Sequence, residues 1–145
     1  MFKHILIATD GSELAHKAVA QGLEIAKALG AKVTAITVTE PWAAVAPGEV
    51  AMAFPITEYE ESVAVNANKI LAAVADEAKA AGVPCATQHV RDQFPAEGII
   101  EAAEKHACDL IVMASHGRRG LMRILLGSQA TKVLTSSSVP VLVCR

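Results

Sequence analysis

Aromatic side chains are scarce in this 145-residue chain: one Trp, one Tyr and three Phe. With no aromatics interleaved among basic residues, it offers no stacking platform for single-stranded nucleic acid. Charge of one sign is equally lacking, since 13 Lys and Arg face 15 Asp and Glu for a net charge of −2. No surplus of positive potential is left to attract nucleic acid or anionic lipid, and helix-turn-helix spacing is absent. Arg118, Arg119 and Arg123 form only a local basic cluster, read as solvated or phosphate-facing. Cysteine is limited to Cys85, Cys108 and Cys144, with no CxxC pair. That excludes a zinc ribbon or a thioredoxin-type motif and favours buried, reduced thiols in a cytoplasmic protein. No apolar run is long enough to span a bilayer. The opening MFKHILIATDGS turns polar too early for a secretory signal. The histidines show neither HExxH nor another ligand spacing, so no metal site is expected.

What is present is an alternation of strand and helix patterns over 1–145, read as one domain. KHILIAT (3–9) and DLIVMAS (109–115) are continuous apolar runs, the mark of parallel strands buried on both faces. KVTAITV (32–38), PCATQHV (about 84–90) and PVLVC (140–144) supply three more strands. DGSE starts the first helix, with Asp10 as the expected cap and Glu13 three residues on. Gly30 is placed to end it. A long helix is expected from about Thr57 to Ala81, with Val63, Ala67, Ile70, Leu71, Val74 and Ala78 on one stripe and Gly82 as its stop. Two shorter helices follow Pro95 and span about 128–136. Between the second strand and the long helix lies TEPWAAVAPGEVAMAFP, a loop with three prolines. Loops this long often serve as lids or interfaces. Trp42 and Phe54 in it are read as packing the loop or a subunit contact, with stacking on a base as the other option.

The order βαβαβαβαβ predicts a parallel sheet with helices on both faces and right-handed crossovers. If the two most apolar strands are central, the winding reverses between them, and ligands bind at that switch point, outside the strand carboxyl ends. Two loops meet there: ATDGS after the first strand and ASHGRRG after the fourth. Beyond the second of these, LLGSQATKVL brings Gly127 and Ser128 to a helix start. The local pattern fits a turn with an N-cap, or a cradle of free N–H groups for phosphate. It is neither a Walker loop nor a GxGxxG fingerprint. Ser115, His116 and Asp10 resemble triad ingredients. However, Ser115 is not on a GxSxG elbow, and neighbours on an extended segment point in opposite directions. No catalytic residue is expected.

Four segments, ILIATDGSE, DLIVMASHG, LLGSQATKVL and SVPVLVCR, together resemble the universal stress protein (UspA-like) family over the whole chain. The resemblance implies a five-stranded, Rossmann-like, adenine nucleotide α-hydrolase-like sheet in the order 3-2-1-4-5. Members that bind ATP carry G-x2-G-x9-G-(S/T). The frame that fits takes Gly117 as the second glycine and RRGLMRILL as the spacer to Gly127-Ser128. Ala114 then stands at the first glycine position, and Gly120 falls inside the spacer. A methyl there costs little if φ is negative and is penalised if φ is positive or a ligand touches Cα. By resemblance, Asp10 and the backbone of Val38 hold adenosine, while Met113, Ala114 and Gly117 line the ribose and first phosphate. Gly127, Ser128, Gln129 and Ala130 cradle the outer phosphates. Ala8, Thr9 and His116, from the two crevice loops, complete the cofactor-binding set.

The family reading implies a cytoplasmic, stress-linked homodimer that binds ATP or AMP, with Mg²⁺ only alongside the phosphates and at most slow hydrolysis. Dimerisation would pair the 140–144 strands, an apolar sheet edge that is otherwise an aggregation liability. No nucleic acid or membrane partner is implied. A nucleotide-independent dimeric interaction module of the same family is the alternative. An adenylate-forming enzyme ranks below both, since neither SGGxDS nor HxGH occurs.

Overall fold

The computed structural model describes residues 1–46, 48–49, 55–117 and 126–145. Phe54, Arg118, Arg119, Gly120 and Arg123 lie outside the described residues. Five parallel strands, β1 (His4–Ala8), β2 (Lys32–Val38), β3 (Cys85–Val90), β4 (Leu110–Ala114) and β5 (Val141–Cys144), form one sheet in the order β3-β2-β1-β4-β5. This is the expected order. The register sets Ile5 beside Val33 on one side and Leu110 on the other.

The continuous apolar runs are central for the reason their composition suggests. Ile5, Leu6 and Ile7 are fully buried, as are Ile111 and Val112. Each such side chain contributes about 1.5–3 kcal/mol by leaving water. Edge strands are wetter: Ala86 and Thr87 on β3 are exposed, and so is Leu142 on β5.

Helices α1 (Glu13–Leu29) and α3 (Ile56–Ala81) cover one face, and α4 (Pro95–Lys105) and α5 (Ser128–Ser136) the other. Alternation along β1 divides the core accordingly. Ile5 and Ile7 pack with Val19, Leu23, Leu71 and Val74, while Leu6 and Ala8 pack with Ile99, Ala103 and Val133. Gly30 and Gly82 end α1 and α3 in the left-handed conformation, as expected. The proline-rich loop contains an unforeseen short helix, α2 (Trp42–Val45). It follows Pro41, whose fixed φ suits a helix start.

The start of α1 differs from expectation. Ser12, not Asp10, is the N-cap, and its hydroxyl accepts from Ala15 N–H at 3.2 Å. Asp10 instead accepts from Ser12 N–H at 2.9 Å, an Asx-type turn that leads into the cap. Among the described residues no helix is long and apolar enough to cross a membrane.

Candidate functional site

A cavity of about 710 Å³ opens at the carboxyl ends of β1, β2 and β4. All twelve residues of the expected set line it: Ala8, Thr9, Asp10, Val38, Met113, Ala114, His116, Gly117, Gly127, Ser128, Gln129 and Ala130. The topology is the cause. β1 and β4 are neighbours whose connections leave in opposite directions, so their exit loops face each other.

On the β1 side, Thr9 N–H donates to Ile36 O at 3.0 Å, and Thr37 Oγ1 donates to Thr9 O. These bonds tie the exits of β1 and β2 together. Across the crevice the two loops nearly touch. A β-carbon on Gly117 would sit 2.8 Å from Asp10 Oδ2, so any side chain there displaces that carboxylate.

On the β4 side, Ala114 is an extended strand residue paired opposite Cys144. It is not among the positive-φ residues, so its methyl carries no backbone strain. Ser115 and His116 do not point apart, as an extended segment would require. Ser115 Oγ lies 3.0 Å from His116 Nδ1. The chain leaves strand geometry at Ser115, and side-chain alternation stops with it. The pair still lacks a third member, since buried His116 Nε2 has no partner and no carboxylate orients the ring. Ser115 is itself only 3% exposed.

Gly127, not Ser128, is the N-cap of α5, and it brings no side-chain cap. The first intrahelical bond runs from Thr131 N–H to Gly127 O at 3.0 Å. The N–H groups of Ser128, Gln129 and Ala130 therefore have no acceptor within the helix, and they sit at the positive end of its dipole. Gly127 N–H donates to Ser115 O at 2.9 Å, and a β-carbon on Gly127 would lie 2.7 Å from that same oxygen. The Gln129 side chain is already occupied, accepting from Ala96 N–H of α4 at 3.1 Å.

Sequence reasoning missed a third wall. Thr37, Thr39 and Glu40 from β2 and its exit, with Tyr59 and Asn66 from α3, line the same cavity. Only the α3 stripe hinted at it, through Val63 and Ile70. Trp42 is not a lining residue. It packs on Tyr59 with ring centroids 4.8 Å apart, and Tyr59 Oη donates to Glu40 O at 2.7 Å. The aromatic pair thus fastens the loop to α3. Asp10 and Glu40 are the acidic lining residues, and no Lys or Arg is among the described lining residues. No group of three or more potential metal ligands occurs among the described residues. Cys108 and Cys144 are buried and Cys85 is half-buried, all as free thiols. Burial, then the charge of Asp109, pushes the Cys108 thiol up to about 11.

Residues 1–145 match the model of the universal stress protein family. The chain belongs to the universal stress protein family. It is 37% identical over 147 residues to universal stress protein MJ0531 of Methanocaldococcus jannaschii, covering 100% of this chain and 83% of that one. The solved structure of MJ0577 superposes with a TM-score of 0.81 at 30% identity, covering 99% and 96% of the two chains. A universal stress protein in complex with cAMP gives 0.72 at 26% identity over 98% and 95%. The fold is shared with a universal stress protein from Archaeoglobus fulgidus in complex with dAMP, at 0.71 and 18% identity over 100% and 98%.

Proposed function

We propose that this universal stress protein is a single-domain, cytoplasmic, homodimeric stress-response factor that binds an adenine nucleotide, ATP or AMP. The observation that carries this reading is the convergence of the twelve residues on one cavity at the switch point, with three free N–H groups of α5 among them. The complexes of family members with cAMP and dAMP support it. Mg²⁺ would enter only with the phosphates. The incomplete Ser115–His116 pair supplies no activated base, so hydrolysis is slow at most.

The test should spare the fold. Gly127→Val is unsuitable, because the new side chain meets the Ser115 carbonyl. Ser128→Glu is better: Ser128 is exposed, and an acidic residue in the first turn suits the helix dipole while repelling phosphate. Wild-type protein should gain thermal stability with ATP or AMP, and Ser128→Glu should lose most of that gain at an unchanged ligand-free Tm.

The carboxylates of Asp10 and Glu40 on the cavity wall favour the nucleotide-independent module as a second reading. Wild-type protein whose Tm does not move with ATP, AMP or cAMP, with or without Mg²⁺, would establish it. For the dimer, β5 is an edge strand with Leu142 36% exposed. Leu142→Lys should shift sedimentation from dimer to monomer, and a persisting dimer would rule out pairing through this strand.

A further inference from the structure

We propose that the Gln129 side chain is itself a binding group of this cavity, its amide NH2 donating to the anionic part of the nucleotide beside the free N–H groups of α5. The inference rests on the nucleotide reading above and adds a side chain to it. Two helix starts open on the cavity: Pro95 of α4 lines it, and so do Ser128, Gln129 and Ala130 of α5. Neither helix receives a side-chain cap from its own N-cap residue, Phe94 or Gly127. The dipole of either one draws an anion, so something else must choose between them.

The start of α4 is closed. Pro95 brings no N–H, and Ala96 N–H donates to Gln129 Oε1 at 3.1 Å. Gly98 N–H already donates to Phe94 O at 2.8 Å. Glu97 sets a carboxylate in the same turn, where it pairs with Lys132 of α5 at 2.6 Å. The start of α5 is open, with no acidic residue in its first turn and its first intrahelical bond made only at Thr131 N–H. Gln129 sits at the junction. Its side chain fills the last vacancy on α4, while its own backbone N–H stays free on α5.

The bond to Ala96 also fixes which way the amide faces. A backbone N–H can only donate, so the atom it meets is the amide oxygen, and the nitrogen is the other arm. An amide nitrogen carries two hydrogens and accepts nothing, so its role cannot invert. Neither hydrogen has an acceptor among the described residues. Helical side chains lean back toward the N-terminus, which sets this NH2 beside the first turn rather than farther down α5. Gln129 is exposed, so the fold does not require those two donors. A phosphate oxygen held at the start of α5 supplies their acceptor, as a charge-assisted hydrogen bond.

The experiment is calorimetric titration of wild-type, Gln129→Leu, Gln129→Glu and Gln129→Lys proteins with adenosine, AMP and ATP, with thermal denaturation as the check on folding. Gln129→Leu should weaken AMP and ATP about tenfold and leave adenosine unchanged, a split that a general loosening of the fold would not produce. The other two variants separate the donor from the tie between the helices. Gln129→Glu keeps an oxygen for Ala96 N–H but loses the donor, and it should weaken AMP and ATP further at an unchanged Tm. Gln129→Lys loses the tie but keeps a donor, and it should bind AMP and ATP at least as tightly as wild type. The reverse pattern, with Gln129→Glu binding as wild type and Gln129→Lys weakened, overturns the donor role and reduces Gln129 to a tie. An unchanged ATP-to-adenosine ratio in folded Gln129→Leu overturns it too, and leaves nucleotide binding standing. Wild-type protein that binds none of these ligands overturns both.

Discussion

The two ends of the sheet contrast in how their polar groups are matched. At the amino end, His4 Nε2 lies 2.8 Å from Thr34 Oγ1, and His106 Nε2 lies 2.6 Å from Gln88 Oε1. Asp109 accepts from the N–H groups of Lys3 and His4, at 2.8 and 3.1 Å. At the carboxyl end, three buried side-chain atoms have no partner: His89 Nδ1, Glu97 Oε2 and His116 Nε2. No other such atom occurs among the described residues. Folded chains satisfy nearly all buried polar groups, so clustered exceptions mark where demands other than stability shape the chain. One end closes the fold, and the other holds the cavity.

The largest effect on stability should therefore come from the well-matched end. Asp109→Ala leaves two backbone N–H groups without their carboxylate and should cost about 2 kcal/mol in urea denaturation. Nucleotide affinity at the far end should be unchanged. Ser128→Glu should do the reverse, removing most of the binding without loss of stability. If Asp109→Ala proved neutral, the contrast between the ends would collapse.

A smaller effect should appear with pH. Burial, then Lys32, lowers the His4 pKa, and burial, then Arg91, lowers that of His89. The unfolded chain binds protons below about pH 6.5, where the folded chain still refuses them. The contribution of these two histidines should be flat above that pH and fall as pH drops from it toward the two lowered values. Denaturation at pH 7.5 and 5.5 reads the difference. His4→Gln and His89→Gln should each remove part of it, which divides the slope between the ends. Asp109 acts in a separate window. Burial raises its pKa, but the Lys3 and His4 N–H groups outweigh that and hold it below the ordinary value. Its contribution is present above the usual carboxylate range and is lost as pH falls through the lowered value.

The sheet was legible because it rests on local pattern. Five apolar segments fix the strands, and two of them are apolar enough to demand burial on both faces. The switch-point crevice follows from that order. What escaped was set by non-local geometry or by a change of backbone state. Asp10 and Ser12 are both good caps by composition, and the turn at Gly11, with φ of 80°, decides between them. Ser115 and His116 meet because the strand ends one residue earlier than the apolar run suggests. The Thr39–His89 pair joins residues fifty positions apart, through the β2–β3 register that sets Thr37 beside His89. No spacing in the sequence encodes it.

Gly127 carries a lesson about motifs. Its hydrogen is enforced by the Ser115 carbonyl, 2.7 Å from where a β-carbon would stand, whether or not a phosphate ever arrives. A descendant that abandoned its ligand would still be obliged to keep a glycine at this point in order to fold. The Gly-Ser pair is therefore a poor criterion for sorting binders from non-binders among such proteins. Ser128 is free of that obligation, and the residue found at its position is the better diagnostic.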